Sequence, residues 1–203
     1  MRHQQQDRTS YRRILAAAAV AVLTSACGAA VASAPVPTPT PVTADTVRAA
    51  FDNSTMKNAH FSMFGTLIHK PSYYPVTGDG VLQLSPREGL QINLRVQTYG
   101  SLGVLKMQEV AIAGRLYVRI GTGKWTSKPE PASVPTPTTY VGEDIISGTA
   151  LWHSRSTSGS STYDMWIRES DGYIVQMVYA STTGKLTMNF NSYNKSPAIA
   201  IPK

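Results

Sequence analysis

Three histidines, a serine-rich tetrapeptide and a group of carboxylates are the side chains beyond position 45 whose types could do chemistry. His60, His69 and His153 are far apart, with no His-x-x-x-His pair and no Glu-x-x-His pattern of the kind that holds a metal. His60 and His69 fall nine apart in one predicted strand, so they face opposite sides of a sheet. All three read as surface or half-buried histidines. Ser158-Gly159-Ser160-Ser161 lacks the Gly-x-Ser-x-Gly elbow and has no base nearby, which suits a hairpin loop. Asp164, Glu169 and Asp171 cluster around a predicted turn, where acids serve solvation and turn bonding; a glycosidase acid and base is the alternative. Gly121-Thr122-Gly123-Lys124 lacks the spacing and the following helix of a phosphate loop. These residues name no catalytic group, no metal site and no cofactor.

Cys27 is the one residue placed for covalent chemistry. Arg2, Arg8, Arg12 and Arg13 precede the apolar run Ile14 to Leu23, and the small residues Thr24, Ser25 and Ala26 follow. That is the layout of a secretory signal, and the run is short of the roughly 20 residues that cross a bilayer as a helix. Leu23-Thr24-Ser25-Ala26-Cys27-Gly28 resembles the bacterial lipobox, in which the Cys receives a diacylglycerol and becomes the new N-terminus; here the Leu stands one place further from the Cys than in the commonest form. Two anchors therefore stay open, an acylated Cys27 or an uncleaved Ala-rich helix spanning the uncharged stretch from Ile14 to Pro41. Both leave the basic flank inside and the rest outside.

The formal charge of +7 is partly a property of the signal. Without residues 1–26 the chain keeps 15 basic and 11 acidic residues, a surplus of +4. Such a surplus favours adhesion to anionic lipid or wall polymers. No basic run with interleaved aromatics is present, so nucleic acid is not a partner. Cys27 is the single cysteine, so the remainder folds without disulfides.

The elements that must position any site follow a Pro/Thr spacer, Ala34 to Thr43, which reaches about 30 Å as polyproline II. The chain divides into a signal peptide (1–26), a lipidated N-terminus and linker (27–44) and one domain (45–203). A helix is expected over about 45–57, with Val47, Ala50, Phe51 and Ser54 on one face. Thereafter the apolar period is two. Leu90, Ile92, Leu94 and Val96 alternate with Gln91, Asn93, Arg95 and Gln97, the mark of a strand with one dry and one wet face. Similar alternation predicts strands over 59–69, 78–85, 103–113, 162–168, 173–180 and 185–191, with weaker ones over 115–120, 140–147 and 149–156. Thr77-Gly78-Asp79-Gly80, Ala113-Gly114-Arg115, Ser170-Asp171-Gly172 and Thr183-Gly184-Lys185 read as tight turns. Pro129 to Thr139, with four prolines, reads as a long surface loop.

About ten short antiparallel strands must curl to hide an apolar face. The expected fold is mainly β (α+β), a curved antiparallel sheet or half-barrel with the N-terminal helix against it. Methionine and aromatic side chains dominate its dry positions, and such soft side chains can line a cavity for an irregular apolar guest. The candidate lining residues are Phe61, Met63, Leu82, Leu84, Ile92, Leu94, Met107, Met165, Ile167, Met177, Met188 and Phe190. A dry core would use the same residues.

Several stretches carry a family resemblance. They are Val110 to Arg119 running to Gly123-Lys124-Trp125, Tyr140 to Asp144 through Gly148 to Leu151-Trp152-His153, and Met165 to Arg168 with Asp171-Gly172-Tyr173. With Phe190 to Asn194 and Ile201-Pro202, they resemble the LolA-like envelope lipoproteins of the LppX and LprG type. The resemblance implies a half-barrel with helical cover that holds acyl chains, and it implies no catalytic residues. The chain departs from it between Trp125 and Tyr140, where a Pro/Thr loop stands in place of a second helix, so a smaller cavity or none is expected. The leading expectation is a membrane-tethered, non-enzymatic lipoprotein on the outer face of a bacterial cell membrane that binds a lipid or lipoprotein ligand. The alternative is an interaction or sensing module for an envelope protein partner; an envelope hydrolase comes third.

Overall fold

Thr43 starts the first element because its hydroxyl can satisfy a helix N-terminus: Oγ1 accepts from the Thr46 N–H at 3.3 Å. Asp45 in the first turn complements the helix dipole. The computed structural model describes residues 41–99, 103–130 and 135–203. Residues 1–40, which include the expected signal peptide, Cys27 and the spacer up to Thr40, lie outside the described residues. Helix α1 (Ala44–Asp52) buries Val47 and Phe51, one turn apart. It ends five residues earlier than its apolar spacing predicts. The Asn53 side chain donates to the Ala49 carbonyl at 2.7 Å and its N–H donates to the same oxygen at 3.0 Å, and such local bonding by Asn competes with further helix. Ser54 consequently lies beyond the helix.

Eleven strands follow. They are β1 (Asn58–His69), β2 (Ser72–Gln83), β3 (Gly89–Gln97), β4 (Val104–Ile112), β5 (Arg115–Ile120), β6 (Thr126–Pro129), β7 (Thr139–Ile146), β8 (Thr149–Ser158), β9 (Ser161–Arg168), β10 (Ile174–Ser181) and β11 (Gly184–Asn191). They form one curved antiparallel sheet ordered β6-β5-β4-β3-β2-β1-β11-β10-β9-β8-β7. Two meanders thus meet at the β1–β11 pair, where Phe61 faces Phe190 and Met63 faces Met188. Residues directly opposite across a ladder point to one side of the sheet. The register therefore puts Phe61, Leu82, Ile92, Met177 and Met165 on one inner face, which carries the main core with Val47 and Phe51 of α1.

The largest correction concerns Thr77-Gly78-Asp79-Gly80, which is the middle of β2 and not a turn. The chain reverses at Lys70-Pro71 instead. Gly80 lies opposite Phe61, and a Cβ there would strike both the Phe61 ring and the Gln91 carbonyl oxygen. The glycine is a seat for a large neighbour. A second correction is β6, four exposed residues on the sheet edge; its polar sequence Thr126-Ser127-Lys128 gives no apolar alternation to detect. Pro129 ends that edge strand, the position where a missing N–H is harmless. The Pro-rich segment is not wholly superficial either, because Pro137 is fully buried.

A bulge between Ile174 and Gln176 shifts the register of β10 against β9. It turns Ile174 inward, 1% exposed, where simple alternation through Tyr173 and Val175 would turn it outward. On the outer face, Ile199 of the C-terminal tail packs with Val110 and Ile112 in a second small core. Gln83 holds that tail by accepting from the Ile199 N–H at 2.8 Å while donating to the Arg87 carbonyl at 2.7 Å.

Candidate functional site

A cavity of about 290 Å³ opens on the inner face, between the strands of the two meanders. On one side Leu82, Gly89, Leu90, Glu109, Ala111 and Leu116 line it; on the other, Tyr163, Ile174, Met177, Tyr179, Met188 and Phe190. Glu130 and Pro135 close it from the segment that links the two sheet edges. Leu90, Ala111 and Leu116 occupy one row across β3, β4 and β5, which is why their side chains converge. Ala111 is small, so it leaves space where its neighbours in the row fill it.

Of the twelve expected lining residues, Leu82, Met177, Met188 and Phe190 face this cavity. Phe61, Met63, Met165 and Ile167 are buried in the main core. Ile92 and Leu94 belong to the same core, and Met107 packs against it. Leu84 lies instead beside Phe51 and Met56 at the end of α1. Periodicity finds the face and not the hollow in it, because the hollow depends on where a small residue such as Ala111 stands.

Two carboxylates, Glu109 and Glu130, interrupt the apolar lining. Glu109 occupies an inner position of β4, opposite Ile92 and Val118. Burial pushes its carboxyl above the usual carboxylate range, the nearby Glu130 pushes it further, and Lys128 partly offsets both. Lys128 Nζ is held 2.8 Å from Glu130. A carboxylate at the phase of Leu105, Met107 and Ala111 was legible in the sequence as a polar residue on the dry face. At the other wall the Tyr163 and Tyr179 rings are tilted with centroids 5.3 Å apart. Hydrogen bonding by Ser161 and Ser181 holds the Tyr179 hydroxyl below its ordinary value, while burial raises that of Tyr163.

The side chains first weighed for catalysis lie outside this cavity, and the fold brings one pair of them together, His153 and Asp164. His153 lies on the outer face, with Nε2 2.9 Å from Asp164 and Nδ1 3.6 Å from Asp144. Its ring stacks on Trp166 at 4.4 Å, and Trp166 Nε1 donates to Asp144 at 2.7 Å. It is half-buried, as expected, and braces β7, β8 and β9. Burial raises the Asp164 carboxyl, but hydrogen bonds from Arg155 and His153 outweigh it and hold the group below its usual value. Asp164 is thus mid-strand, whereas Asp171 pairs with Arg168 at 2.9 Å in the turn after β9. His60 bonds with Asn191 at 3.3 Å on β11, and His69 is exposed at the end of β1. Ser158 to Ser161 form the β8–β9 turn. Among the described residues no three His, Cys, Asp or Glu side chains converge to hold a metal, and no helix is long and apolar enough to cross a membrane.

No family model matches the chain, and no curated protein matches it. Solved structures do. LprF from Mycobacterium bovis is 14% identical, with 78% of this chain and 97% of that one covered at a TM-score of 0.41. The Mycobacterium tuberculosis lipoprotein LppX is 10% identical, with 77% and 99% covered at a TM-score of 0.45. A LolA superfamily protein from Nitrosomonas europaea is 6% identical, with 78% and 96% covered at a TM-score of 0.34.

Proposed function

We propose that the chain is an envelope lipoprotein, non-enzymatic, that binds or carries an acyl chain. The observation that carries this reading is the apolar cavity between the two meanders, lined by Leu, Met, Phe and Tyr side chains. Its volume of about 290 Å³ is at the small end for ligand sites, which favours a single chain over a multiply acylated lipid. At about 0.8 kcal/mol for each buried methylene, eight methylenes contribute about 6 kcal/mol. The signal-like N-terminus and the lipobox-like Cys27 support residues 1–26 as a removed signal, 27–44 as an acylated tether and 45–203 as the domain outside the cell membrane.

Native mass spectrometry of the purified full chain, followed by solvent extraction, tests the reading. A bound mass that extracts as a lipid is the expected result. A chain that emerges empty and takes up no fatty acid on titration overturns it.

A second reading rests on the edge strand β7, which exposes Val141 and Ile145, the latter 79% accessible. An unpaired, apolar sheet edge favours strand addition by an envelope protein. Crosslinking from β7 in cells should trap one dominant partner; a diffuse pattern counts against it.

A further inference from the structure

The turns after β1, β3, β5, β8 and β10 all lie at one end of the sheet, since every ladder is antiparallel. The strand ends that reach them cover residues 66–75, 94–99, 103–107, 119–126, 155–163 and 178–187. None of these segments contains an Asp or Glu. Asp79, further along β2, shares a hollow with Arg95 and Lys106 but bonds to Asn93 and pairs with neither cation. Lys70, Arg95, Lys106, Lys124 and Lys185 are exposed at this end, and among the described residues none of them forms an ion pair. Arg95 and Lys106 stand directly opposite one another on β3 and β4. Like charges so placed are destabilising unless an anion lies between them.

Apolar side chains are exposed beside these cations. Tyr99 is 67% accessible, Tyr73 57% and Ile120 56%, with Val104 and Leu105 close by in the sheet. The aromatic pair is anchored, not loose: the Tyr99 hydroxyl donates to the Tyr73 carbonyl at 2.8 Å, and its ring packs on Tyr74 at 5.7 Å. Cations without ion-pair partners, interfacial tyrosines and exposed aliphatic side chains on one end match a membrane-water boundary.

We propose that this end of the sheet docks on an anionic bilayer surface. The cations neutralise headgroup phosphates, the tyrosines lie at headgroup depth and Ile120 and Leu105 enter the acyl boundary. Ile120 faces Met107 and Leu105 faces Val96, all at inner-face positions, so docking brings the inner face to the lipid. Only this last consequence rests on the acyl-chain reading. A protein partner with an acidic surface is the competing occupant, and the clustering of aliphatic and aromatic exposure with the cations favours the bilayer.

The test uses the full chain with Cys27→Ala, so that one introduced thiol carries an environment-sensitive fluorophore. Ile120→Cys places the label at the basic end, and Ile145→Cys places it near the other end, on β7. Each is titrated with vesicles of phosphatidylcholine alone or mixed equally with phosphatidylglycerol. The Ile120 label is expected to enter an apolar environment on the anionic vesicles only, while the Ile145 label stays in water. Each cation near such a surface changes partitioning about fivefold, so Arg95→Gln with Lys106→Gln should weaken the Ile120 response about 30-fold. The proposal fails if both labels respond alike, if neutral vesicles suffice, or if the Ile120 label never leaves water. Lipid extraction from the same preparations separates the two ideas: a lipid-loaded chain that does not dock refutes the docking alone, and a docking chain without lipid refutes the cavity reading alone.

Discussion

Ala111→Phe puts a phenyl ring into the cavity from the middle of the row formed by Leu90, Ala111 and Leu116. The ring adds about six carbon positions to a space of about 290 Å³. A guest that gives up about three methylenes to it loses about 2.4 kcal/mol, close to 60-fold in Kd. Displacement of a fluorescent fatty acid measures that change directly. Thermal unfolding of the empty variant supplies the control. A ring placed in an open cavity fills space and leaves Tm unchanged or higher, whereas forcing one into a filled core costs about 1–3 kcal/mol. Unchanged binding together with a lowered Tm would falsify the claim that this volume receives the ligand.

Glu109 supplies the pH prediction. Its carboxyl is already raised by burial and by Glu130, against Lys128, and an apolar guest removes more of its water. The bound form should therefore have the higher pKa, so binding takes up a proton and tightens as pH falls from neutral into the acid range. Glu109→Gln should bind more tightly at neutral pH and flatten this dependence; titrations at several pH values show whether it does. Gly80→Ala forces a Cβ against the Gln91 carbonyl and the Phe61 ring, so denaturant unfolding should show a loss of about 1–3 kcal/mol. For the tether, mass spectrometry of the mature N-terminus should find acylated Cys27, and Cys27→Ala should release the chain from membranes. Retention of that variant would favour the uncleaved helix.

Much of the sheet was legible because most strands bury one face and expose the other. In β3 the dry residues Leu90, Ile92, Leu94 and Val96 and the wet residues between them follow the pleat without interruption, so pattern and structure coincide. Legibility fails where a residue serves a neighbour distant in sequence. Gly78 and Gly80 look like a turn because the side chains that require them, Met63 and Phe61, belong to another strand. Ile174 is misphased by a bulge that only pairing with β9 reveals. The candidate site suffers most, since a hollow is defined by absent atoms. Sequence shows that Leu82, Met177, Met188 and Phe190 are apolar and inward, but only the meeting of two meanders sets them around an opening instead of against one another. Glu109 is the exception, a polar residue out of phase that periodicity alone can flag.

Among the described residues, the pairing of β1 with β11 joins the first strand to the last. Every other ladder links neighbours in sequence and can form as soon as its hairpin has emerged. The central ladder cannot, because it closes a loop of more than a hundred residues, and contacts of such separation form slowly. A chain exported N-terminus first would thus hold β1 as an unpaired apolar edge until the final strand arrives. The cavity, whose walls come from both meanders, would be the last feature to exist, and truncation before β11 at Gly184 would remove the Met188 and Phe190 wall while leaving the other hairpins able to pair.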